Sequence, residues 1–448
     1  MNDLPPGWAG TTVGEIAASL IDGPFGSNLK SEHYQPTGAR VIRLQNIADG
    51  RFGDRDKAYI SLSHFNSLNR HEARPGDVLI AALGDVLPRV CLVPPDIGPA
   101  IVKADCFRLR PHQGISGSYI AYILSSPQIR KRASAEIAGV GRPRLNLRKV
   151  SALPIPIAPS AEQHRIVAAI EEQFSRLDTA AATLTSAQRR LQQLRDQGIF
   201  ALTKGKGSKV RLAEICEIRL GRQRSPKNHS GPNMVSYLRA ANVAWEGLDL
   251  TDVKQMNFTP SEVSNYRLQR GDVLVAEASG SASEVGKPAI WDEGIPVCCF
   301  QNTLLRLRSE HLLPEYLYFV LLGLARSGAF ARASRGVGIH HLSKAGIADV
   351  MIEVPSLKIQ RELVATIIDQ QEQYAVLGRA ISMGLQRASR LRASVLAAAF
   401  SGRLAPQDPS DEPASIVLER IAAERASSNG CKARPTRKPG IRGEKVTA

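Results

Sequence analysis

The chain has 448 residues, 43% of them apolar, and a formal net charge of +16. That length exceeds one ordinary core and suits two domains with connectors, and the charge favours a polyanionic partner. The six cysteines, Cys91, Cys106, Cys216, Cys298, Cys299 and Cys431, show no C-x-x-C spacing and no cluster with histidine at zinc-ligand spacing. This argues against a structural metal and for a reducing compartment.

The first residues, "MNDLPPGWAG", contain no basic stretch followed by an apolar run, so no signal peptide is expected. No run of 18 apolar residues occurs, so neither a membrane span nor a membrane partner is expected, and the predicted location is cytoplasmic.

From Val13 onward the chain is written twice, with a period of about 196 residues. "VGEIA" (Val13 to Ala17) returns as "LAEIC" (Leu212 to Cys216), and "VIRLQNI" (Val41 to Ile47) as "YLRAANV" (Tyr237 to Val243). "PGDVLIA" (Pro75 to Ala81) returns as "RGDVLVA" (Arg270 to Ala276), and "FRLRP" (Phe107 to Pro111) as "LRLRS" (Leu305 to Ser309). "SYIAYIL" (Ser118 to Leu124) matches "EYLYFVL" (Glu315 to Leu321), and "GVGRPRL" (Gly139 to Leu145) matches "GVGIHHL" (Gly336 to Leu342). Any one match is ordinary strand or turn chemistry; the ordered set is not. The apolar runs after each Gly-Asp turn predict strands. Tyr119 to Ala135 and Glu315 to Ala333 predict helices, and the run "PVCCF" predicts a core strand. Each copy is therefore expected to be a mixed α/β (α+β) domain of about 150 residues.

"ALPIPIAPS" (Ala152 to Ser160) ends the first globular part and "EVPS" (Glu353 to Ser356) the second. Proline suits a strand-like exit into a first helical turn. From Glu162 to about Lys204 there is no proline, and Ile170, Leu177, Leu184 and Leu191 recur every seven residues. From Ile359 to about Phe400, Ile367 and Ile381 share one heptad position with Tyr374 and Val395, while Leu363, Leu377 and Leu391 share the other. This pattern predicts two helices paired along a narrow seam. At 1.5 Å per residue, 40 residues span roughly 60 Å. The predicted arrangement is two domains in pseudo-two-fold relation, separated by a long antiparallel two-helix coiled coil. The expected boundaries are 1–157 and 207–355 for the globular parts, 158–206 and 356–404 for the helices, and 405–448 for a C-terminal helix (Ala414 to Ala426) and a basic tail (Cys431 to Ala448).

Motifs for chemistry are absent. No G-x-G-x-x-G follows a predicted strand, and "GSASEVGKP" (Gly280 to Pro288) has five residues between its glycines where a phosphate loop needs four. No Asn-Pro-Pro-aromatic motif and no nucleophile elbow occur. Asp77 and Asp272 fall in the repeated Gly-Asp turn, where turn bonding is expected. Neither a catalytic residue nor a metal ligand is assigned.

Binding chemistry remains. The loop "GVGRPRLNLRK" carries Arg142, Arg144 and Asn146; its counterpart "SRGVGIHHLSK" carries Arg335, His340 and His341. Arginine offers a donor fork to phosphates and guanine edges, and asparagine can pair with adenine. A shared frame with different polar residues fits two copies reading different sequences, although surface-loop drift gives the same pattern. Lys30 ends "DGPFGSNLK", whose counterpart "LGRQRSPKN" carries Arg222 and Arg224; Arg43 with Asn46 and Arg239 with Asn242 form a further matched pair. Contact with DNA and an ordinary structural or solvated role are both open for each of these residues. A coiled-coil scaffold holding nucleic acid without reading its sequence is the alternative for the whole chain.

With these features in place, the chain resembles the specificity subunit of type I restriction-modification systems, from "LPPGW" at Leu4 to "DEPASIVLERIAAERA" at Asp411 to Ala426. The most specific segments are "PIAPSAEQHRIVAAIEE" (Pro156 to Glu172), "EVPSLKIQRELVATII" (Glu353 to Ile368) and "SVLAAAFSGRL" (Ser394 to Leu404). Ile359-Gln360 stands where the first copy has Glu162-Gln163, which suggests a one-residue slip. The resemblance implies a non-catalytic subunit that binds double-stranded DNA, each domain reading half of a bipartite site while the helices act as a ruler. It implies two methyltransferase subunits as partners, which hold S-adenosylmethionine, and allows two restriction subunits that use ATP and magnesium. No cofactor is expected in this chain. By the same resemblance Arg142, Arg144, Asn146, His340 and His341 fall in loops that face DNA.

Overall fold

The computed structural model describes residues 4–135, 143–279, 284–333 and 340–430. The chain forms two compact units, residues 1–181 with 385–448, and residues 182–384.

The first unit is built on strands β1 (Ala17–Ile21), β2 (Val78–Ala81), β3 (Arg89–Leu92) and β4 (Cys106–Pro111), in the antiparallel order β1-β4-β2-β3. Strand β2 is buried along its whole length. Successive side chains of a strand point to opposite faces, so Val78 and Ile80 enter one core with Tyr119 and Ile120, while Leu79 and Ala81 enter a second with Ile42, Ile47 and Ala100. A sheet covered on both faces explains why this segment reads as a continuous apolar run rather than an alternation. Beyond the second core, Ala39–Ile42 pairs in parallel with Ala100–Val102.

The second unit repeats the plan. Strands β5 (Glu217–Leu220), β6 (Val273–Ala276), β7 (Pro288–Ile290) and β8 (Leu304–Arg308) run in the order β5-β8-β6-β7. Val273 and Val275 pack with Tyr316 and Leu317, and Leu274 and Ala276 with Trp291 and Phe300. The parallel pair is Met234–Leu238 with Cys298–Phe300. Cys298 and Cys299 are buried there, as the apolar run predicted, and burial pushes both thiols up to about 12. They remain neutral core groups.

The repeated Gly-Asp turns are held by matching bonds. Asp77 accepts the Arg74 backbone N–H at 2.9 Å and both donors of the Arg110 fork at 2.8 and 2.7 Å. Asp272 accepts the Gln269 N–H at 2.8 Å and the Arg308 fork at 2.7 and 2.8 Å. Turn bonding is thus the role of both carboxylates.

Each predicted helix after these strands is two helices. In the first unit α1 (Gly117–Leu124) stops before α2 (Pro127–Ala135), because proline lacks an N–H and disfavours helical backbone at Ser126. In the second, α3 (Pro314–Arg326) and α4 (Ala329–Ala333) are divided by Gly328, whose φ of +72° no helix accommodates.

The exits form short antiparallel pairs, Ala9–Thr12 with Pro154–Ile157 and Ser208–Arg211 with Met351–Val354. Each leads into a helix of 43 residues, Ser160–Leu202 or Leu357–Ala399, starting two residues earlier than the periodicity predicted. Tyr119 Oη donates to the Pro156 carbonyl and Tyr316 Oη to the Glu353 carbonyl, at 3.1 and 2.8 Å. Gln163 accepts the Ser116 N–H and Gln360 the Leu313 N–H, both at 2.9 Å. The tyrosine and glutamine bonds share one offset with their partners, so the expected slip at Ile359-Gln360 does not occur. The terminal helix Ala414–Gly430 packs on the first unit, where Val417 and Ile421 join the core around Tyr119. The basic tail from Cys431 lies outside the described residues.

Candidate nucleic-acid interface

Two strand extensions position the candidate reading residues. Beyond β2 the chain continues through Ala82, whose carbonyl accepts the Leu145 N–H at 2.9 Å, and Leu83 forms an antiparallel bridge with Arg144. Beyond β6, Ala278 pairs with His341, and the Glu277 carbonyl accepts the Leu342 N–H at 2.7 Å. Arg144 and His341 therefore occupy one register position in the two domains, as the alignment of "GVGRPRL" with "GVGIHHL" implies.

The Arg144 side chain is 52% exposed and reaches the Asp105 carboxylate at 2.6 Å. Asp105 stands in the left-handed region at φ +68°, and its N–H donates to Asp22 Oδ1 at 3.0 Å. Burial pushes the Asp22 carboxyl above the usual carboxylate range. The His341 ring is 51% exposed, with Nδ1 3.6 Å from Glu277 Oε2. Sequence reasoning found Arg144 and His341 but missed Asp22, Asp105 and Glu277. The fold brings these carboxylates in from elsewhere along the chain, and no spacing announces them. Arg142 and Arg335 lie outside the described residues; His340 lies in the two-residue strand with His341, with its side chain outside them.

The matched pairs Arg43/Asn46 and Arg239/Asn242 make matched structural bonds. Asn46 is fully buried: its Oδ1 accepts the Arg43 N–H at 2.9 Å, and its amide donates to the Gly53 and Asp56 carbonyls at 2.8 and 2.9 Å. Asn242 accepts the Arg239 N–H at 3.1 Å and donates to the Asp249 and Asp252 carbonyls at 2.9 and 3.2 Å. Both amides are engaged in pinning a loop, the structural role that the sequence left open for them. Arg43 and Arg239, about three-quarters buried, are ion-paired with Asp56 and Asp252. Hydrogen bonds from the Gln45 side chain and the Arg43 pairing hold the Asp56 carboxyl low; Lys254 and then Arg239 do the same for Asp252.

Arg222 is also structural. Its Nε donates to Glu262 at 2.8 Å and another nitrogen to the Asn257 carbonyl at 2.7 Å, with the guanidinium 4.8 Å from the Phe258 ring centroid. Arg224 is exposed and donates to His229 at 3.1 Å, and Lys30 lies 3.4 Å from Glu32. Asn146 caps a short helix by accepting the Lys149 N–H at 2.8 Å.

The helix seam is partly re-registered. Ile170 joins the core of the first unit, Leu363 that of the second, and Ile367 packs with Ile199, Phe319 and Leu322. In the second unit Leu184 faces Gly384, Leu191 faces Gly378, and Arg195 donates to the Gln371 side chain at 2.9 Å. In the first unit the Arg392 guanidinium lies 4.5 Å from the Phe174 ring centroid and pairs with Asp178. Leu177 and Ile381 are half-buried, as seam positions are. Leu377 and Leu391, predicted seam members, are about half exposed. Glycine and arginine take the facing positions beside them, a choice that an apolar heptad count cannot detect. Leu377 instead lines a groove of about 720 Å³ with Ala187, Leu191, Leu194 and Ile381.

A family model for the type I restriction modification DNA specificity domain matches the chain twice, at residues 28–188 and 206–374. The chain belongs to the type I restriction-modification DNA specificity family. It is a specificity subunit of a type I restriction-modification system, with two recognition domains. It is similar to the type I restriction enzyme EcoKI specificity subunit of Escherichia coli (strain K12), at 25% identity over 468 residues, covering 96% of this chain and 98% of that one. Its fold is similar to that of a chain solved in work on the complex assembly and conformational transition of the type I R-M system, with TM-score 0.70, 22% identity, and coverage of 90% and 100%. The HsdS subunit from Thermoanaerobacter tengcongensis matches with TM-score 0.55 at 22% identity, covering 90% of this chain and 98% of that one. Among the described residues no helix of this specificity subunit is long and apolar enough to cross a membrane, and no group of three or more side chains could hold a metal ion.

Proposed function

We propose that this specificity subunit is a non-catalytic reader of a bipartite site in double-stranded DNA, each recognition domain taking one half. The observation that carries this reading is a duplicated frame with unlike readers. Asp77–Arg110 recurs as Asp272–Arg308 and Tyr119–Pro156 as Tyr316–Glu353, yet Arg144 is replaced by His341 at the matched exposed position. Conserving the frame while changing the exposed donor is what two half-sites of different sequence require.

The long helices are the spacer in this reading. Falling residue numbers along one helix against rising numbers on the other, Leu184 to Gly384 and Leu191 to Gly378, favour an antiparallel pair. Such a pair sets the gap between half-sites. The groove around Leu194 and Leu377 supports docking of partner subunits, since exposed apolar grooves mark interaction sites. Two methyltransferase subunits dock on the helices and hold the S-adenosylmethionine; restriction subunits, where they join, use ATP and magnesium.

The test is co-expression with the methyltransferase encoded beside it, in a host without adenine methylation, followed by single-molecule sequencing. One bipartite motif with a fixed gap is expected. Unmethylated DNA despite a soluble complex, together with binding that weakens with salt equally for all sequences, would favour a scaffold that does not read sequence.

A further inference from the structure

The Arg144 guanidinium that pairs with Asp105 is half-exposed, and exposure weakens such a pair through solvent screening. The surroundings nevertheless fix its acceptor tightly. Asp22 Oδ1 accepts the N–H groups of Gly23 and Asp105, at 2.7 and 3.0 Å. Gly23 lies so close to the 103–104 peptide that a Cβ there would stand 2.1 Å from the Lys103 carbonyl carbon. Asp105 itself holds a left-handed backbone, uncommon for a residue with a side chain. Three separated segments thus converge to hold one carboxylate against one half-exposed guanidinium.

A free arginine side chain loses rotamer entropy when it is fixed. A carboxylate already ion-paired with one nitrogen removes much of that cost and leaves the rest of the donor fork for a ligand. Guanine matches that fork, because O6 and N7 are adjacent acceptors on its major-groove edge.

We propose that Arg144, with Asp105 as its positioning residue, reads a guanine in the first half-site, and that His341 beside Glu277 is the equivalent reader in the second. This rests on the bipartite reading given above. With Nδ1 turned to Glu277, the imidazole keeps one nitrogen for a base, so it makes one bond where arginine makes two. The first half-site therefore contains a guanine that is stringently required, and the second a base that is read less strictly, through a single bond.

The test is the methylome of the co-expressed methyltransferase with the unaltered subunit and with Arg144→Ala, Arg144→Lys, Asp105→Asn and His341→Ala. Arg144→Ala is expected to admit other bases at one guanine of the first half-site, about tenfold or more above the unaltered level. The second half-site stays unchanged. Asp105→Asn should relax the same position to a smaller degree, and His341→Ala should relax one position of the second half-site only. An ion pair serving structure alone would lower methylation at every site without altering the motif, and that result overturns the proposal. So does an unchanged first half-site in Arg144→Ala. If Arg144→Ala yields no soluble complex, Arg144→Lys decides by the same criterion. No bipartite motif with the unaltered subunit would overturn the parent reading; a clear motif indifferent to Arg144 would overturn only this one.

Discussion

Gln163 and Gln360 do the same work in the two recognition domains. Each is almost fully buried in the first turn of a long helix. Each accepts a backbone N–H at 2.9 Å, from Ser116 or Leu313, and donates to the carbonyl five residues earlier, Ala158 or Pro355, at 2.9 and 3.0 Å. One amide thus joins the domain, the exit strand and the helix start. Replacing either by alanine leaves buried backbone groups unpaired, at about 1–3 kcal/mol per group. Gln163→Ala should lower the denaturation midpoint of the first unit and Gln360→Ala that of the second. Hydrogen exchange resolved by peptide should show the protection lost in one unit at a time.

These glutamines also explain what was legible in the sequence. The duplicated frame is local chemistry: a Gly-Asp turn before a buried strand, a proline exit, a polar residue in the first helical turn. Such features recur as readable strings. Asn46 and Asn242 were readable too, but in the opposite sense. "RLQN" and "RAAN" keep the same asparagine in both copies, and an identity shared by two domains whose exposed loops differ points to the frame. Asp105 and Glu277 were beyond reach, because their significance depends on which loop the fold sets beside them. The seam register was legible only in part for a related reason. Gly378 and Arg392 face the opposite helix through backbone closeness and a ring contact, which apolar periodicity does not count.

Gly378 gives a prediction of gain. It lies inside a helix, and a Cβ there would stand 3.8 Å from Leu191 Cδ2, an ordinary van der Waals contact. Alanine in a helix interior is favoured over glycine by about 0.5–1 kcal/mol. Gly378→Ala should raise stability by about that amount in urea denaturation. Gly384→Ala should gain less, since its Cβ would meet Leu184 Cδ1 at 2.9 Å and that side chain must shift.

The terminal helix should be sensitive to acid. Arg425 donates to the Gly14 and Ala17 carbonyls at 2.7 and 2.6 Å and through Nε to His112 Nε2 at 3.3 Å. That last bond requires a neutral acceptor nitrogen. Burial and the Arg425 charge hold the His112 imidazole below its usual value, against the opposing pull of Glu424. Below about pH 6.5 the unfolded segment therefore binds the proton more readily than the docked one, and docking weakens as pH falls. Protection factors over residues 414–427, which remove the intrinsic slowing of exchange in acid, should fall at pH 5.5 relative to pH 7.5, and His112→Gln should remove most of that fall. Equal pH dependence in both proteins would show that another group controls the docking.

The helix pair yields the most direct test of spacing. Four residues add about 6 Å to a helix, and one base-pair step is about 3.4 Å. An insertion must enter both helices to keep their faces matched, since four residues exceed a whole turn by about 40°. Suitable places are after Ala187 and after Ala380, between the facing pairs Leu184–Gly384 and Leu191–Gly378. With both insertions the recognised gap should lengthen by one or two base pairs while each half-site keeps its sequence. An insertion in one helix alone should instead cost stability, because residues beyond it lose their partners. An unchanged gap in the methylome of a well-folded double insertion would mean that something other than helix length sets the distance between the half-sites.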